Sequence, residues 1–98
     1  MTPLSPFEVK AALAGLPGWR HERAGEYIAL RVRTESFATA FTLAARIALM
    51  AERAAHHPEI TIAWGRLDIA LTTHSAKGIT RADIELAETI SRWMPSNG

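Results

Sequence analysis

The hydrophobic period of this chain changes four times along its length, and few folds can accommodate that order. From Tyr27 to Arg33, Ile28, Leu30 and Val32 alternate with Ala29, Arg31 and Arg33, the two-residue step of a strand with one buried face. From Glu35 to about Ala55 the step becomes three and four residues, through Phe37, Ala40, Phe41, Ala44, Ile47, Ala48 and Ala51, which marks an amphipathic helix. Its alanines predict close approach to a sheet or to another helix. Pro58 ends it, because proline lacks an N–H and disfavours helix in the residue before it. The two-residue step then returns. Ile60, Ile62 and Trp64 form one run, Gly65-Arg66 turns the chain, and Leu67, Ile69 and Leu71 form a second run that gives out at Thr73-His74.

The flanks complete the pattern. Ser5-Pro6-Phe7-Glu8 reads as a capped helix start, with Phe7, Ala11 and Leu13 available to bury and Gly15 to end it. Trp19 to Glu22 reads as a strand paired with the one at Tyr27–Arg33. Thr34 is the expected cap of the long helix. Thr80 caps a last helix from Arg81 to about Met94, with Leu86, Ala87, Ile90, Trp93 and Met94 on one stripe, before a frayed tail at 95–98. The order helix, two strands, helix, two strands, helix predicts an α+β fold in two layers. A four-stranded antiparallel sheet is covered on one face by three helices, in a single domain over residues 1–98.

With 98 residues and a net charge of +1 spread over mixed acids and bases, the chain lacks the dense basic patch of a nucleic-acid binder. It has no cysteine, which excludes disulfides and thiolate metal sites. Its apolar runs fall short of the roughly 20 residues of a membrane helix. The start of the chain lacks a signal-peptide pattern, so a soluble cytoplasmic protein is expected. A chain this short buries a modest fraction of its surface, which favours oligomerisation.

The chemistry-bearing residues cluster around Glu52-Arg53-Ala54-Ala55-His56-His57-Pro58. Glu52 and His56, four apart on a helix, are neighbours on one face, where a carboxylate can fix an imidazole's orientation. The same residues also suit a plain helix C-terminus, whose dipole favours histidine. His57 points away from His56 on a regular backbone. His74 shares strand parity with Asp68, Ala70 and Thr72, opposite the Leu67-Ile69-Leu71 face. Asp83 lies in the first turn of the last helix, where an acid complements the dipole, and borders its inward stripe. Trp19 suits either the core or a wall for a planar ligand. His21 reads as a surface residue. Three histidines and an acid suit zinc chemically, yet their spacing is that of no zinc motif, and no metal is expected. With no phosphate-binding loop, serine elbow or cysteine nucleophile, the set suits proton transfer, such as the loss or addition of water.

The spacing resembles that of the pterin-4a-carbinolamine dehydratase family. That family's pattern is a Glu, three residues, His-His-Pro, an aromatic after five more, a His nine residues later and an Asp eight or more beyond. Glu52, His56-His57-Pro58, Trp64, His74 and Asp83 match it. Gly18-Trp19, Phe37, Ala40, Phe41, Thr73 and Gly78 extend the likeness over nearly the whole chain. The resemblance implies dehydration of 4a-hydroxytetrahydropterin to quinonoid dihydropterin, in support of tetrahydropterin recycling. It implies no cofactor, the pterin being substrate. By carry-over, His56, His57 and His74 line the pocket, with His56 and His74 transferring protons and His57 binding the pterin or sharing that role. Glu52 and Asp83 orient them, Thr73 offers backbone groups to the pterin, and Trp19 forms a wall. The resemblance also implies a homodimer or homotetramer, with a non-catalytic interaction or assembly module as the alternative. Two positions depart from the family pattern: Ala55, where Asp or Asn is common, and Ile60, where a bulky aromatic is common. Both are expected to thin the polar or aromatic lining of the pocket.

Overall fold

The computed structural model describes residues 2–24 and 26–94, so the expected tail at 95–98 lies outside the described residues. The elements run Pro6–Leu13 (α1), Arg20–Glu22 (β1), Tyr27–Arg33 (β2), Phe37–Ala54 (α2), Glu59–Ala63 (β3), Arg66–Leu71 (β4), a single 3-10 turn at His74–Ala76, and Arg81–Trp93 (α3). The expected α+β architecture is present. The strands form one antiparallel sheet in the order β1-β2-β4-β3. β2 and β4 take the centre because they carry the unbroken aliphatic faces: Ile28, Leu30 and Val32 on one, Leu67, Ile69 and Leu71 on the other. Ile28 pairs with Leu71, Leu30 with Ile69 and Val32 with Leu67. Opposed residues share a face, so these six side chains make one apolar surface. All six are buried with Ile47, Ile84 and Ile90 of the helices in a single core.

α1 starts as expected, with a reciprocal cap: Glu8 N–H donates to Ser5 Oγ and Ser5 N–H to Glu8 Oε1. Its buried residue is Val9, however, while Phe7 is exposed. The N-cap of α2 is Ser36, which accepts from Thr39 N–H, rather than Thr34. α2 buries Ala40, Leu43, Ala44, Ile47 and Ala51 against the sheet, whereas Phe37, Phe41 and Ala48 face outward. Small side chains let the helix axis sit close to the strands, and two phenylalanines on that face would hold it off. On α3, Trp93 likewise faces outward, off the expected stripe. The second hairpin turns at Trp64-Gly65, one residue earlier than expected. Gly65 takes φ of 73° there, in the region where a side chain is costly. His21, expected at the surface, is partly buried. It pairs with Ile28 across β1 and β2, so it shares the helix-covered face, with Nε2 3.6 Å from Glu26 Oε2.

The exit from α2 departs most from a regular helix. Ala55 adopts the left-handed conformation, φ 53° and ψ 37°. Its N–H donates to Glu52 O, and the His56 N–H reaches back to Ala51 O, which closes the helix end. A left-handed residue other than glycine costs roughly 1–2 kcal/mol. Glycine gives back about 0.5–1 kcal/mol of that in chain entropy. Ala55→Gly therefore raises the stability to urea by about 0.5–1 kcal/mol at unchanged m-value. A lowered denaturation midpoint would contradict this account of the turn.

Candidate active site

The left-handed turn at Ala55 sends the two histidines in different directions. His56 swings toward α3, where its Nε2 lies 2.5 Å from Asp83 Oδ1. The expected contact between Glu52 and His56 is absent because helical geometry stops two residues before His56. Glu52 meets His57 instead, with Oε1 2.7 Å from Nε2, and both side chains are exposed.

Asp83 is completely buried, and three donors converge on its carboxylate. Besides the His56 ring, Oδ2 accepts from Thr73 Oγ1 and from the Thr80 N–H, each at 2.8 Å. Thr80 Oγ1 lies 2.8 Å from Thr73 Oγ1 and continues the chain of hydroxyls. The Thr80 contact is half of the capping box that starts α3. One carboxylate thus ties together the exit of α2, the segment after β4 and the entry of α3.

His74 opens the 3-10 turn rather than ending β4. Thr73, just before it, is held by an isolated bridge in which its N–H donates to Gly78 O and its carbonyl accepts from the Gly78 N–H. Thr73 therefore turns its hydroxyl inward to Asp83, and its backbone is engaged by Gly78 rather than open to a ligand. The expected parity of His74 with Asp68, Ala70 and Thr72 holds.

Those residues line a hollow of about 450 Å³ on the helix-free face of the sheet. Its floor is a pair of alanines, Ala29 and Ala70, opposed across β2 and β4. Arg20 continues that row on β1, and Glu59 closes it on β3. The next row is Arg31, Asp68 and Thr61. Tyr27, Thr72, His57 and His74 complete the wall. His57 and His74 thus share one hollow. His56 lines a second, of about 390 Å³, between α2 and α3, with Met50, Arg53, Glu85, Thr89 and Trp93. Trp19 borders neither: it is buried in the core, and its indole N–H donates to Ser91 Oγ at 2.8 Å. Among the described residues, no three His, Cys, Asp or Glu side chains stand close enough to hold a metal ion, and no helix is long and apolar enough to cross a membrane.

A model of the family described as pterin 4 alpha carbinolamine dehydratase matches residues 2–93. The chain belongs to that family. A Nocardia farcinica protein named "Putative pterin-4-alpha-carbinolamine dehydratase" is 46% identical over 87 residues, covering 89% of this chain and 90% of its own length. A Mycolicibacterium smegmatis protein of the same name is 42% identical over 92 residues, covering 94% and 96%. A crystal structure described as a transcriptional coactivator/pterin dehydratase from Brucella melitensis superposes with a TM-score of 0.86 at 37% identity. That match covers 93% of this chain and 97% of the other.

The two departures from the dehydratase pattern lie outside the first hollow. Ile60 pairs with Ile69 and packs against the core on the covered face. Ala55 lines neither hollow, and what Asp or Asn offers at its position is tolerance of the left-handed backbone. Neither thins the lining, contrary to expectation. The residues missed from the sequence, Arg20, Tyr27, Arg31, Glu59, Thr61 and Thr72, all lie on the sheet's open face.

Within that face, Arg31 Nε and Nη2 meet Asp68 Oδ1 and Oδ2 at 2.7 and 3.3 Å, and Arg66 Nε lies 3.1 Å from Oδ2. The hydrogen bond from Arg31 holds the Asp68 carboxyl below the usual carboxylate range. Partial burial opposes this, and the charges of Arg31, Arg66 and Arg20 reinforce it. A carboxyl whose pKa is lower in the folded chain stabilises the fold above its unfolded value, about 3.9. That contribution disappears as the pH falls through the folded value. Asp68→Asn therefore melts below the parent at pH 7, and the gap closes as the pH drops below about 4. A gap independent of pH in thermal melts would refute the linkage.

Proposed function

We propose that this protein dehydrates 4a-hydroxytetrahydropterins to quinonoid dihydropterins in the cytoplasm as a homodimer or homotetramer. The observation that carries the reading is the placing of His57 and His74 in one hollow of ligand size on an open sheet face. In the reaction, the C4a–O bond breaks with its electron pair on oxygen, which takes a proton and leaves as water. N5 loses its proton, and its electron pair forms the C4a=N5 bond. The step requires one group to give a proton and one to accept it, and imidazole does either near neutral pH. We assign these two roles to His57 and His74, with Glu52 orienting His57 across 2.7 Å. His56, although part of the family motif, acts as a positioning residue: with Asp83 it anchors the helix exit from which His57 projects.

The assay is decay of the 4a-carbinolamine absorbance in stopped flow, with and without protein. Acceleration over the spontaneous reaction supports the reading, and none refutes it. The Brucella melitensis neighbour's description as a coactivator favours a second reading, an interaction module. The outward Phe37 and Phe41 of α2 provide apolar surface for a partner or for another copy of the chain. A module of that kind keeps its partner when His57 and His74 are both alanine.

A further inference from the structure

The hollow that holds His57 and His74 is polarised along one row of the sheet. Arg20, Ala29, Ala70 and Glu59 stand in register across all four strands, from β1 to β3. The two ends of the row are three strand spacings apart, roughly 14 Å at about 4.8 Å each. The middle is an alanine floor on which a flat ring can lie. At the β3 end stands Glu59, whose carboxylate suits the N–H donors of an aminopyrimidine ring. At the β1 end stands Arg20, half-exposed and in a surface ion pair with the partly exposed Glu22. Such pairs contribute little and exchange readily for a better anion. Asp68, the acid nearest the centre, is already paired with Arg31 and Arg66.

The dehydratase reading puts the ring's C4a near His57 and His74. The ring then occupies the β3 and β4 side, and the substituent at C6 runs toward β1. A bicyclic ring with a short side chain spans the row. Building on that reading, we infer that the substrate class is a 4a-hydroxytetrahydropterin whose side chain ends in an anion, a phosphate ester or a carboxylate, bound by Arg20. The guanidinium fork suits either group, and phosphate most.

The test compares kcat/KM for three 4a-hydroxytetrahydropterins in the parent and in Arg20→Gln. One carries an uncharged hydroxylated side chain, one the same chain as its phosphate ester, and one a chain ending in carboxylate. In the parent, at least one anionic substrate exceeds the uncharged one by about tenfold, as one charge-assisted contact allows. In Arg20→Gln that ratio falls to about one. Which of the two anions is preferred identifies the source of the charge. Turnover with no preference in the parent, or a preference that survives Arg20→Gln, overturns the inference and leaves the dehydratase reading intact. No turnover of any of the three overturns both.

Discussion

Alanine at His57 or at His74 lowers the dehydration rate by about 10²–10⁴-fold, the usual contribution of a positioned acid or base. The expectation is sharp because neither ring holds the fold together. His57 is 65% exposed on its side chain and its bond to Glu52 is a surface one, while His74 is exposed at the start of its turn. Unfolding free energies of both variants stay within about 0.5 kcal/mol of the parent, as for most surface substitutions. Loss of rate therefore reports chemistry rather than unfolding. The double variant is little slower than the worse single one, since two groups acting in one step do not add. His56→Ala behaves differently, losing stability first because its ring is the partner of a buried carboxylate. Stopped-flow rates beside urea titrations of the three variants check this. Full rates in both His57→Ala and His74→Ala would remove the proton-transfer assignment.

Asp83→Ala destabilises the protein by about 3–5 kcal/mol, the cost of breaking a buried charge-bearing contact. Against a total of roughly 5–15 kcal/mol for a domain, that is a large share. Three losses coincide. The His56 ring, the Thr73 hydroxyl and the Thr80 N–H each lose their acceptor inside the protein. α3 loses one arm of its capping box, and the α2 exit loses its tether. Asp83→Asn destabilises less, because one carbonyl oxygen still accepts. Urea unfolding of the two variants measures both effects. A change below about 1 kcal/mol in Asp83→Ala would show that the network is not what holds the three segments together.

Much of this could be read from the residues in order. The alternation of β2 and β4, the Ser5–Glu8 cap and the Thr80–Asp83 start of α3 are local signals, and the structure has each of them. The direction of α2 was harder. Phe37 and Phe41 fit the helical period as well as Leu43 does, and only packing density decides that alanines face the sheet. The parting of His56 from His57 depends on a left-handed Ala55, a conformation that alanine does not advertise. The hollow's basic side required the strand order. Arg20 and Arg31 join His74 only because β2 lies beside β4 and β1 beside β2, and hairpin pairing alone does not dictate the first of these.

The pleat of β4 has a consequence for how this protein can vary. Its odd positions, Leu67, Ile69, Leu71 and then Thr73, are buried, whereas the even ones, Asp68, Ala70, Thr72 and then His74, line the hollow. Parity along one strand thus separates changes that alter the lining from changes that alter the core. A lineage can re-tailor what it binds at 70 and 72 while the interior stays as it was, whereas a change at 68 also removes the pairs with Arg31 and Arg66.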